Sequence, residues 1–313
     1  MSAVFSTVFP GQGSQSVGML ADLAAAYPEV AQTFDEANDA LGLDLWRLVQ
    51  EGPAEELDRT ENTQPAMLAA GVAVWRVWRS QGGPVPVSMA GHSLGEYSAL
   101  VASGALGFSA AVGLVAQRGR FMQEAVPAGT GAMAAVLGLE DAAVCDVCSQ
   151  AAAGEIVEPV NFNSPGQVVI AGHAGAVDRA VALAKEAGAK RALLLPVSVP
   201  SHCALMLPAA ERLASAMDGL AVEPTQVPVL HNVDVSVAGS APDIRDRLAR
   251  QLYSPVRWVE TVRAIASDGV SLLIEAGPGK VLTGLTKRID RNLSGLAITD
   301  PASLEKALEV VNA

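Results

Sequence analysis

The sequence is short of cysteine, of aromatic residues and of charge. Its 313 residues include three cysteines, and aromatic and charged residues make up 4% and 17% of the chain. An odd cysteine count, with no basic and apolar leader at the N-terminus, argues against a disulfide framework and favours a reducing compartment, so we expect a cytoplasmic protein. The net charge of −12 repels nucleic acid and anionic membranes, and we expect neither as a partner.

Two of the cysteines, Cys145 and Cys148, form a single CxxC pair. A structural zinc site needs four ligands, and the sequence has neither a second pair nor a suitably placed histidine to complete one. A redox pair is not supported either, because no aromatic residue or proline lies between the two cysteines. We interpret the pair as two cysteines on one helix, and we expect no metal and no cofactor.

An uncharged stretch, residues 97–117, is long enough to suggest a transmembrane helix. It is rich in alanine, glycine and serine, however, and Gly104 and Gly107 interrupt it. Glycine lowers helix stability and commonly ends helices. We therefore predict two buried helices joined by a turn.

Half of the residues are hydrophobic, which is typical of α/β proteins with buried strands and closely packed helices. Apolar runs at 4–9, 85–90 and 271–276 predict strands, and each is followed within two residues by a glycine. Between 127 and 197 the pattern predicts strand, helix, two strands, helix and strand, which is the order of a ferredoxin-like unit. We therefore predict one domain formed by residues 1–126 and 198–313, with a ferredoxin-like insert at residues 127–197.

A possible nucleophile, Ser93, lies in the pattern Gly91-x-Ser93-x-Gly95. The pattern follows a predicted strand and precedes a predicted helix, and in that context it forms a sharp turn that exposes the serine hydroxyl. The alternative is a glycine-rich turn with an incidental serine. The strand and helix on its two sides favour the nucleophile.

A serine nucleophile needs a base, and the sequence contains four histidines. His92 adjoins the serine, and His173 lies in the predicted insert. His202 lies on a loop where the chain returns from that insert, and His231 ends a predicted strand and could be a buried polar residue. Position alone favours His202 only modestly over His231.

A carboxylate between serine and histidine would be expected in an ordinary α/β-hydrolase. The aspartates in that interval, Asp141, Asp146 and Asp178, all lie in the predicted insert. A Ser–His pair oriented by a backbone carbonyl is therefore plausible.

Several segments together resemble the malonyl-CoA:acyl-carrier-protein transacylases of fatty-acid synthesis. They follow one another in the family's order and cover nearly the whole chain: Phe9-Pro-Gly-Gln-Gly-Ser-Gln15, Gly91-His-Ser-Leu-Gly-Glu-Tyr97, Gln117-Arg-Gly-Arg120, Asn161-Phe-Asn-Ser-Pro-Gly-Gln167, Val199-Pro-Ser-His202 and Glu275-Ala-Gly-Pro-Gly279. The resemblance implies an α/β-hydrolase-like large domain with a ferredoxin-like insert.

The resemblance also implies a role for individual residues. Ser93 would be the nucleophile, and His202 would be its base, held by a backbone carbonyl near Gln251. The backbone N–H groups of Gln12 and Leu94 would form the oxyanion hole. The substrate pocket would consist of Arg118 as partner of the malonyl carboxylate, with Gln64, His92 and Asn161.

The residue types agree with two of these roles. The turn Gly11-Gln12-Gly13 could present N–H groups to an oxyanion, and it lacks the lysine and the serine or threonine of a phosphate-binding loop. Arg118 ends an uncharged helical stretch, where a buried guanidinium would need an anion such as a carboxylate. The alternative for Arg118 is an exposed arginine paired with a nearby acid.

The expected reaction is a ping-pong transfer of malonyl from malonyl-CoA to the phosphopantetheine thiol of acyl carrier protein, of either fatty-acid or polyketide synthesis. Because both partners are anionic, we expect a local basic patch on this acidic chain. The candidates are Lys190, Arg191, Lys280, Lys287, Arg288 and Arg291. A serine esterase and a non-catalytic carrier-binding scaffold are the alternative functions.

Overall fold

The computed structural model of the chain describes residues 4–197 and 199–313. Within those ranges it has these strands: β1 (Phe5–Phe9), β2 (Met89–Gly91), β3 (Gly131–Leu137), β4 (Val157–Ser164), β5 (Gln167–His173), β6 (Arg191–Leu194), β7 (Val229–Leu230), β8 (Leu272–Ala276) and β9 (Ser294–Ile298).

Helices occupy most of the remaining described chain. They are α1 (Ala21–Ala26), α2 (Pro28–Leu41), α3 (Leu45–Glu51), α4 (Ala54–Leu57), α5 (Thr60–Ser80), α6 (Gly95–Ala102), α7 (Phe108–Ala125), α8 (Asp141–Ala152), α9 (Ala174–Glu186), α10 (Leu207–Met217), α11 (Ala241–Gln251), α12 (Trp258–Ser267), α13 (Val281–Ile289) and α14 (Pro301–Asn312). A 3₁₀ turn over Ala204–Met206 precedes α10.

The larger part of the protein is built around a parallel sheet with strand order β7-β2-β1-β8-β9. Every residue of β1 and β8 is buried, because helices cover both faces of the sheet. Phe9, the last residue of β1, pairs with Gly91, the last residue of β2. The loops that follow these two strands therefore leave the sheet side by side at its carboxyl edge.

A second, antiparallel sheet is built from the middle of the chain, in the order β4-β5-β3-β6. Its elements follow one another as β3, α8, β4, β5, α9 and β6, as the sequence predicts. One face packs against α8 and α9 through an apolar core that includes Val136, Val144, Ile170 and Val177. The prediction of a mixed α/β fold is confirmed.

Some predicted boundaries are wrong. The strand predicted at 85–90 is limited to Met89–Gly91, and Val85 and Val87 are half exposed. Pro84 and Pro86 alternate with these valines, and proline cannot donate a ladder hydrogen bond. The strand predicted at 191–197 ends at Leu194, after which the chain bends towards the parallel sheet.

The uncharged stretch 97–117 forms two helices, as predicted. Helix α6 ends at Ala102, Gly104 adopts a left-handed backbone with φ of 80°, and α7 begins at Phe108. Most of α6 is buried against α5 and β2. None of the described helices is long and apolar enough to span a membrane.

Glu275, the first residue of the segment Glu275–Gly279, is a buried acid that contacts the start of α13. The carboxylate is fully buried and accepts hydrogen bonds from the backbone N–H groups of Leu282 and Thr283, at 3.0 and 2.7 Å. Burial raises the pKa of Glu275, while these hydrogen bonds oppose the rise. Glu275 thus caps the first turn of α13, where unpaired N–H groups attract an anion.

Candidate active site

Ser93 lies on a sharp turn between β2 and α6, with a left-handed φ of 51° that costs a non-glycine residue about 1–2 kcal/mol. The neighbouring glycines permit this turn. A Cβ on Gly91 would lie 1.9 Å from the carbonyl carbon of Gly95, and a Cβ on Gly95 would lie 2.1 Å from the carbonyl oxygen of Phe9. Any side chain at either position would push the turn away from the sheet.

His202 is the histidine that contacts this serine. Its Nε2 lies 2.7 Å from Ser93 Oγ, and its Nδ1 lies 2.7 Å from the backbone carbonyl oxygen of Gln251. The carbonyl accepts a hydrogen bond from Nδ1–H, and in this tautomer Nε2 carries no proton and can take the proton of the serine. The alternative base, His231, is fully buried and contacts Glu96.

The imidazole of His202 lies in a dry and positively charged environment. Burial, and then the charge of Arg118, lower its pKa to about 3, whereas the hydrogen bond to Gln251 acts in the opposite direction. The neutral form is therefore the resting state at neutral pH. A base must be unprotonated to accept the serine proton, and this environment keeps His202 unprotonated.

Arg118 projects from α7 into the same site and is 1% exposed. Its Nη1 donates to Gln64 Oε1 at 2.8 Å and its Nη2 donates to Gln251 Oε1 at 3.0 Å, and Nη2 lies 3.5 Å from Ser93 Oγ. The guanidinium carbon lies 5.4 Å from the centre of the Tyr97 ring. The cation is thus held by neutral oxygens within reach of the nucleophile.

Among the described residues, no carboxylate forms an ion pair with Arg118. Burial raises the pKa of Tyr97 to about 12, so its hydroxyl is neutral and supplies no counter-charge. Burial also lowers the pKa of Arg118, although a guanidinium stays charged in proteins. The alternative of an exposed, acid-paired arginine is wrong, and the site can accept an anion.

Gln12 and Leu94, the predicted oxyanion hole, both line the cleft that contains Ser93. Gly11 brings the two loops together, since a Cβ there would lie 2.4 Å from the His92 carbonyl oxygen and 3.7 Å from the Leu94 nitrogen. Within residues 4–197 and 199–313, neither N–H group donates to a protein acceptor. Both remain available for an oxygen that develops negative charge.

The other predicted pocket residues divide into two groups. His92 and Asn161 line the cleft, and His92 Nε2 lies 2.8 Å from Asn163 Oδ1. Burial lowers the pKa of His92. Gln64 and Gln251 are buried and do not line the cleft. Each accepts a hydrogen bond from Arg118, which does line it.

The apolar residues that form one wall of the cleft were not predicted from the sequence. They are Met122, Met133, Val169, Leu195, Val197 and Val199. Met133 and Val169 come from the antiparallel sheet, and no local pattern distinguishes them from ordinary strand residues. The antiparallel sheet therefore closes one side of a site whose chemistry lies on the parallel sheet.

The six predicted basic residues are all exposed, but the structure brings only some of them together. Lys190 and Arg288 line one surface cleft, where Arg288 Nη1 donates to Gln167 Oε1 at 2.8 Å. Arg191 begins β6 beside Lys190, and Lys287 lies in the last turn of α13 beside Arg288. Lys280 precedes α13, and Arg291 follows it.

This basic cleft and the Ser93 cleft are both lined by β3. Met133 lines the Ser93 cleft, whereas Ala135 and Leu137 line the cleft that contains Lys190 and Arg288. Alternate residues of a strand point to the same face of a sheet. One sheet face therefore leads from the basic residues to the nucleophile.

Comparison with known proteins identifies relatives along nearly the whole chain. Residues 6–297 match the acyl transferase domain family. The malonyl CoA-acyl carrier protein transacylase of Salmonella typhimurium is 62% identical over 304 residues, which cover 97% of this chain and 98% of that protein. The enzyme of the same name from Bacillus subtilis is 48% identical over 305 residues, covering 97% and 96%.

Solved structures give the same result. The malonyl CoA-acyl carrier protein transacylase of Coxiella burnetii is 52% identical, with a TM-score of 0.99 over 100% of this chain and 99% of that one. A malonyl-transacylase solved in complex with the holo form of its type II polyketide acyl-carrier protein is 60% identical. Its TM-score is 0.97 over 98% of this chain and 99% of that one.

The low pKa of His202 predicts an unusual pH dependence for Ser93. Because His202 stays neutral as the pH falls through its ordinary pKa of 6.5, the proton-accepting form persists there. We expect Ser93 to react with phenylmethylsulfonyl fluoride at a nearly constant rate from about pH 8 to about pH 5. Labelling is followed by mass spectrometry, with Ser93→Ala as control. A rate that halves near pH 6.5 would show that His202 titrates normally.

Proposed function

We propose a two-step, ping-pong reaction for this chain, which belongs to the acyl transferase family and, within it, to the malonyl CoA-acyl carrier protein transacylases. The protein is an acyltransferase that moves a malonyl group from malonyl-CoA to acyl carrier protein. One observation carries the choice of substrate: a buried arginine with no acid partner among the described residues lies 3.5 Å from the nucleophile. We assign the protein to fatty-acid synthesis.

In the first step, Ser93 Oγ attacks the thioester carbonyl of malonyl-CoA while His202 Nε2 takes the hydroxyl proton. The N–H groups of Gln12 and Leu94 bind the oxyanion, and removal of one such donor typically costs about 2.7–4 kcal/mol. The intermediate collapses, the C–S bond breaks, and the CoA sulfur receives the proton from His202. A malonyl ester of Ser93 remains.

In the second step, the phosphopantetheine thiol of the carrier protein attacks that ester. His202 takes the thiol proton, the same N–H groups bind the oxyanion, and the C–O bond to Ser93 breaks. His202 then returns the proton to Ser93 Oγ. The free enzyme is restored, and each step uses one proton that His202 accepts and returns.

Two alternative functions fit the residues less well. A serine esterase would need an apolar acyl pocket without a buried cation, and Arg118 lies in the pocket. A carrier-binding scaffold would have no use for a Ser–His pair at 2.7 Å.

We further propose the two-domain division, with an α/β-hydrolase-like domain over residues 1–126 and 198–313 and a ferredoxin-like insert over 127–197. The strand order β4-β5-β3-β6 and the separate core against α8 and α9 support the ferredoxin-like assignment. A parallel sheet with a nucleophile turn at its carboxyl edge supports the hydrolase-like one. Residues 1–3 and 198, which begin the two segments of the large domain, lie outside the described residues.

We propose that the carrier protein and CoA dock on the basic residues near β6 and α13, centred on Lys190 and Arg288. The shared face of β3 supports this proposal because it leads from these residues to Ser93. The three free cysteines, of which Cys148 and Cys203 have pKa values raised to about 12 by burial, are consistent with a reducing compartment. We propose the cytoplasm.

The covalent intermediate is the direct test of the function. After mixing with malonyl-CoA alone, intact-mass measurement should show one malonyl adduct that maps to Ser93, and Ser93→Ala should show none. Added carrier protein should remove the adduct as malonyl-carrier. Release of free malonate without an adduct would indicate an esterase, and no reaction would indicate a scaffold.

Arg118 should select the substrate. Arg118→Ala leaves the malonyl anion without a counter-charge in a buried site, which costs about 3–5 kcal/mol, or about two to four orders of magnitude in kcat/KM. Acetyl transfer should hold or rise, since acetyl carries no anion. Lysine should rescue malonyl transfer only in part, because it cannot make a two-pronged contact. Equal losses of kcat/KM for malonyl-CoA and acetyl-CoA would assign Arg118 a structural role.

Charge reversal tests the docking surface. Lys190→Glu and Arg288→Glu should each raise the KM for acyl carrier protein severalfold and weaken its dependence on salt, because a favourable long-range attraction is lost. Lys306→Glu, an exposed change on α14, is the matched control. The surface is wrongly assigned if the KM for the carrier is the same in all three variants and the wild type.

A further inference from the structure

Glu96 is a buried acid close to the nucleophile, yet it does not line the cleft. It lies in the first turn of α6, three residues after Ser93, and is fully buried. Its Oε1 lies 2.8 Å from Nδ1 of His231, and its Oε2 accepts the backbone N–H of Asn232 at 2.8 Å. The reaction proposed above gives this carboxylate no role.

The side chain of Asn232 connects this carboxylate to the nucleophile turn. Its Oδ1 accepts the backbone N–H of Ser93 at 2.7 Å, and its Nδ2 donates to the carbonyl oxygen of Gly91 at 2.7 Å. The amide thus bridges the two peptide groups on either side of His92. Neither Glu96 nor His231 lines the cleft.

Ser93 requires such support because its backbone is left-handed, with φ of 51°. Strained residues of this kind persist when surrounding contacts determine their conformation. The Ser93 carbonyl oxygen is also fixed, since it accepts from Gln251 Nε2 at 3.1 Å and from the Glu96 backbone N–H at 3.0 Å. Asn232 is therefore the side chain that fixes the other end of the residue.

We infer that Glu96, His231 and Asn232 form a positioning network that holds the Ser93 turn in the geometry for attack, with Glu96 and His231 acting through the Asn232 amide. The inference rests on the proposed role of Ser93. Glu96 orients the backbone of Asn232 by accepting its N–H through Oε2. His231, the preceding residue, contacts the other oxygen of the same carboxylate through Nδ1. None of the three lines the cleft.

The network makes a specific kinetic prediction for the rate of Ser93 malonylation at saturating malonyl-CoA. A displacement of about 1 Å at a reacting group costs on the order of 100-fold in rate, so we expect a loss of about that size in Asn232→Ala. Glu96→Gln keeps one acceptor oxygen and should lose about tenfold. The malonyl-CoA concentration that gives half the maximal rate should not change, because Arg118 and the cleft are intact.

The double variant distinguishes a network from two separate defects. If Glu96 acts through the Asn232 amide, Glu96→Gln has no further effect once Asn232 is alanine, so the double variant should be about 100-fold slower than wild type. Independent effects would multiply to about 1,000-fold. Multiplication, or wild-type rates in the single variants, would overturn the inference.

Glu275→Gln is the matched control for loss of a buried carboxylate. Glu275 is likewise fully buried and accepts two backbone N–H groups, but these N–H groups belong to the first turn of α13. We expect this variant to lower the melting temperature and to leave the malonylation rate unchanged. A loss of rate equal to that of Glu96→Gln would reduce the network to general stability and overturn the inference.

Folding and the parent reaction are checked independently. All rates are measured below the unfolding transition of each variant, and Asn232→Asp, which keeps the volume but loses the donor to Gly91, replaces the alanine variant if that one does not fold. If wild-type protein forms no malonyl-Ser93, the proposed function fails. If wild type forms it and the Glu96 and Asn232 variants form it equally fast, only the network fails.

Discussion

A buried positive charge without a bonded acid governs this site. Removing a guanidinium from water is costly, and protein interiors normally compensate it with a carboxylate. Here Arg118 is held by the amide oxygens of Gln64 and Gln251. These contacts fix the position of the guanidinium but do not pair it with a bonded acid. We propose that a substrate with its own carboxylate pairs with this guanidinium, and that Arg118 thereby favours malonyl over acetyl.

Gln251 contacts Arg118 and also both residues of the Ser93–His202 pair. Its backbone carbonyl orients His202, and its side chain contacts both Arg118 Nη2 and the Ser93 carbonyl oxygen. The charge of Arg118 also lowers the His202 pKa, so the cation that attracts a substrate anion also keeps the base unprotonated. One residue at the end of α11 therefore contacts both the side chain proposed to select the substrate and the side chain proposed to transfer the proton.

Sequence analysis predicted the features that depend on local pattern. The Ser93 turn and the order of elements between residues 131 and 194 follow from glycine placement and apolar periodicity, and the family assigned from motifs is confirmed by the relatives. His202 needed the resemblance, because its contact with Ser93 joins residues 109 apart. The link from Glu96 to Asn232 spans 136 residues and has no local signature. Strand β9 was missed because its residues are only partly buried and do not alternate clearly.

We propose that Arg118 binds the free carboxylate of the malonyl group while the ester forms on Ser93. A crystal structure of the malonyl-enzyme, prepared with malonyl-CoA and no carrier protein, would show this contact. We expect both carboxylate oxygens within hydrogen-bonding distance of the Arg118 guanidinium, with the ester carbonyl oxygen facing the Gln12 and Leu94 N–H groups. If the carboxylate points to solvent and Arg118 is bonded only to Gln64 and Gln251, Arg118 does not bind the substrate anion.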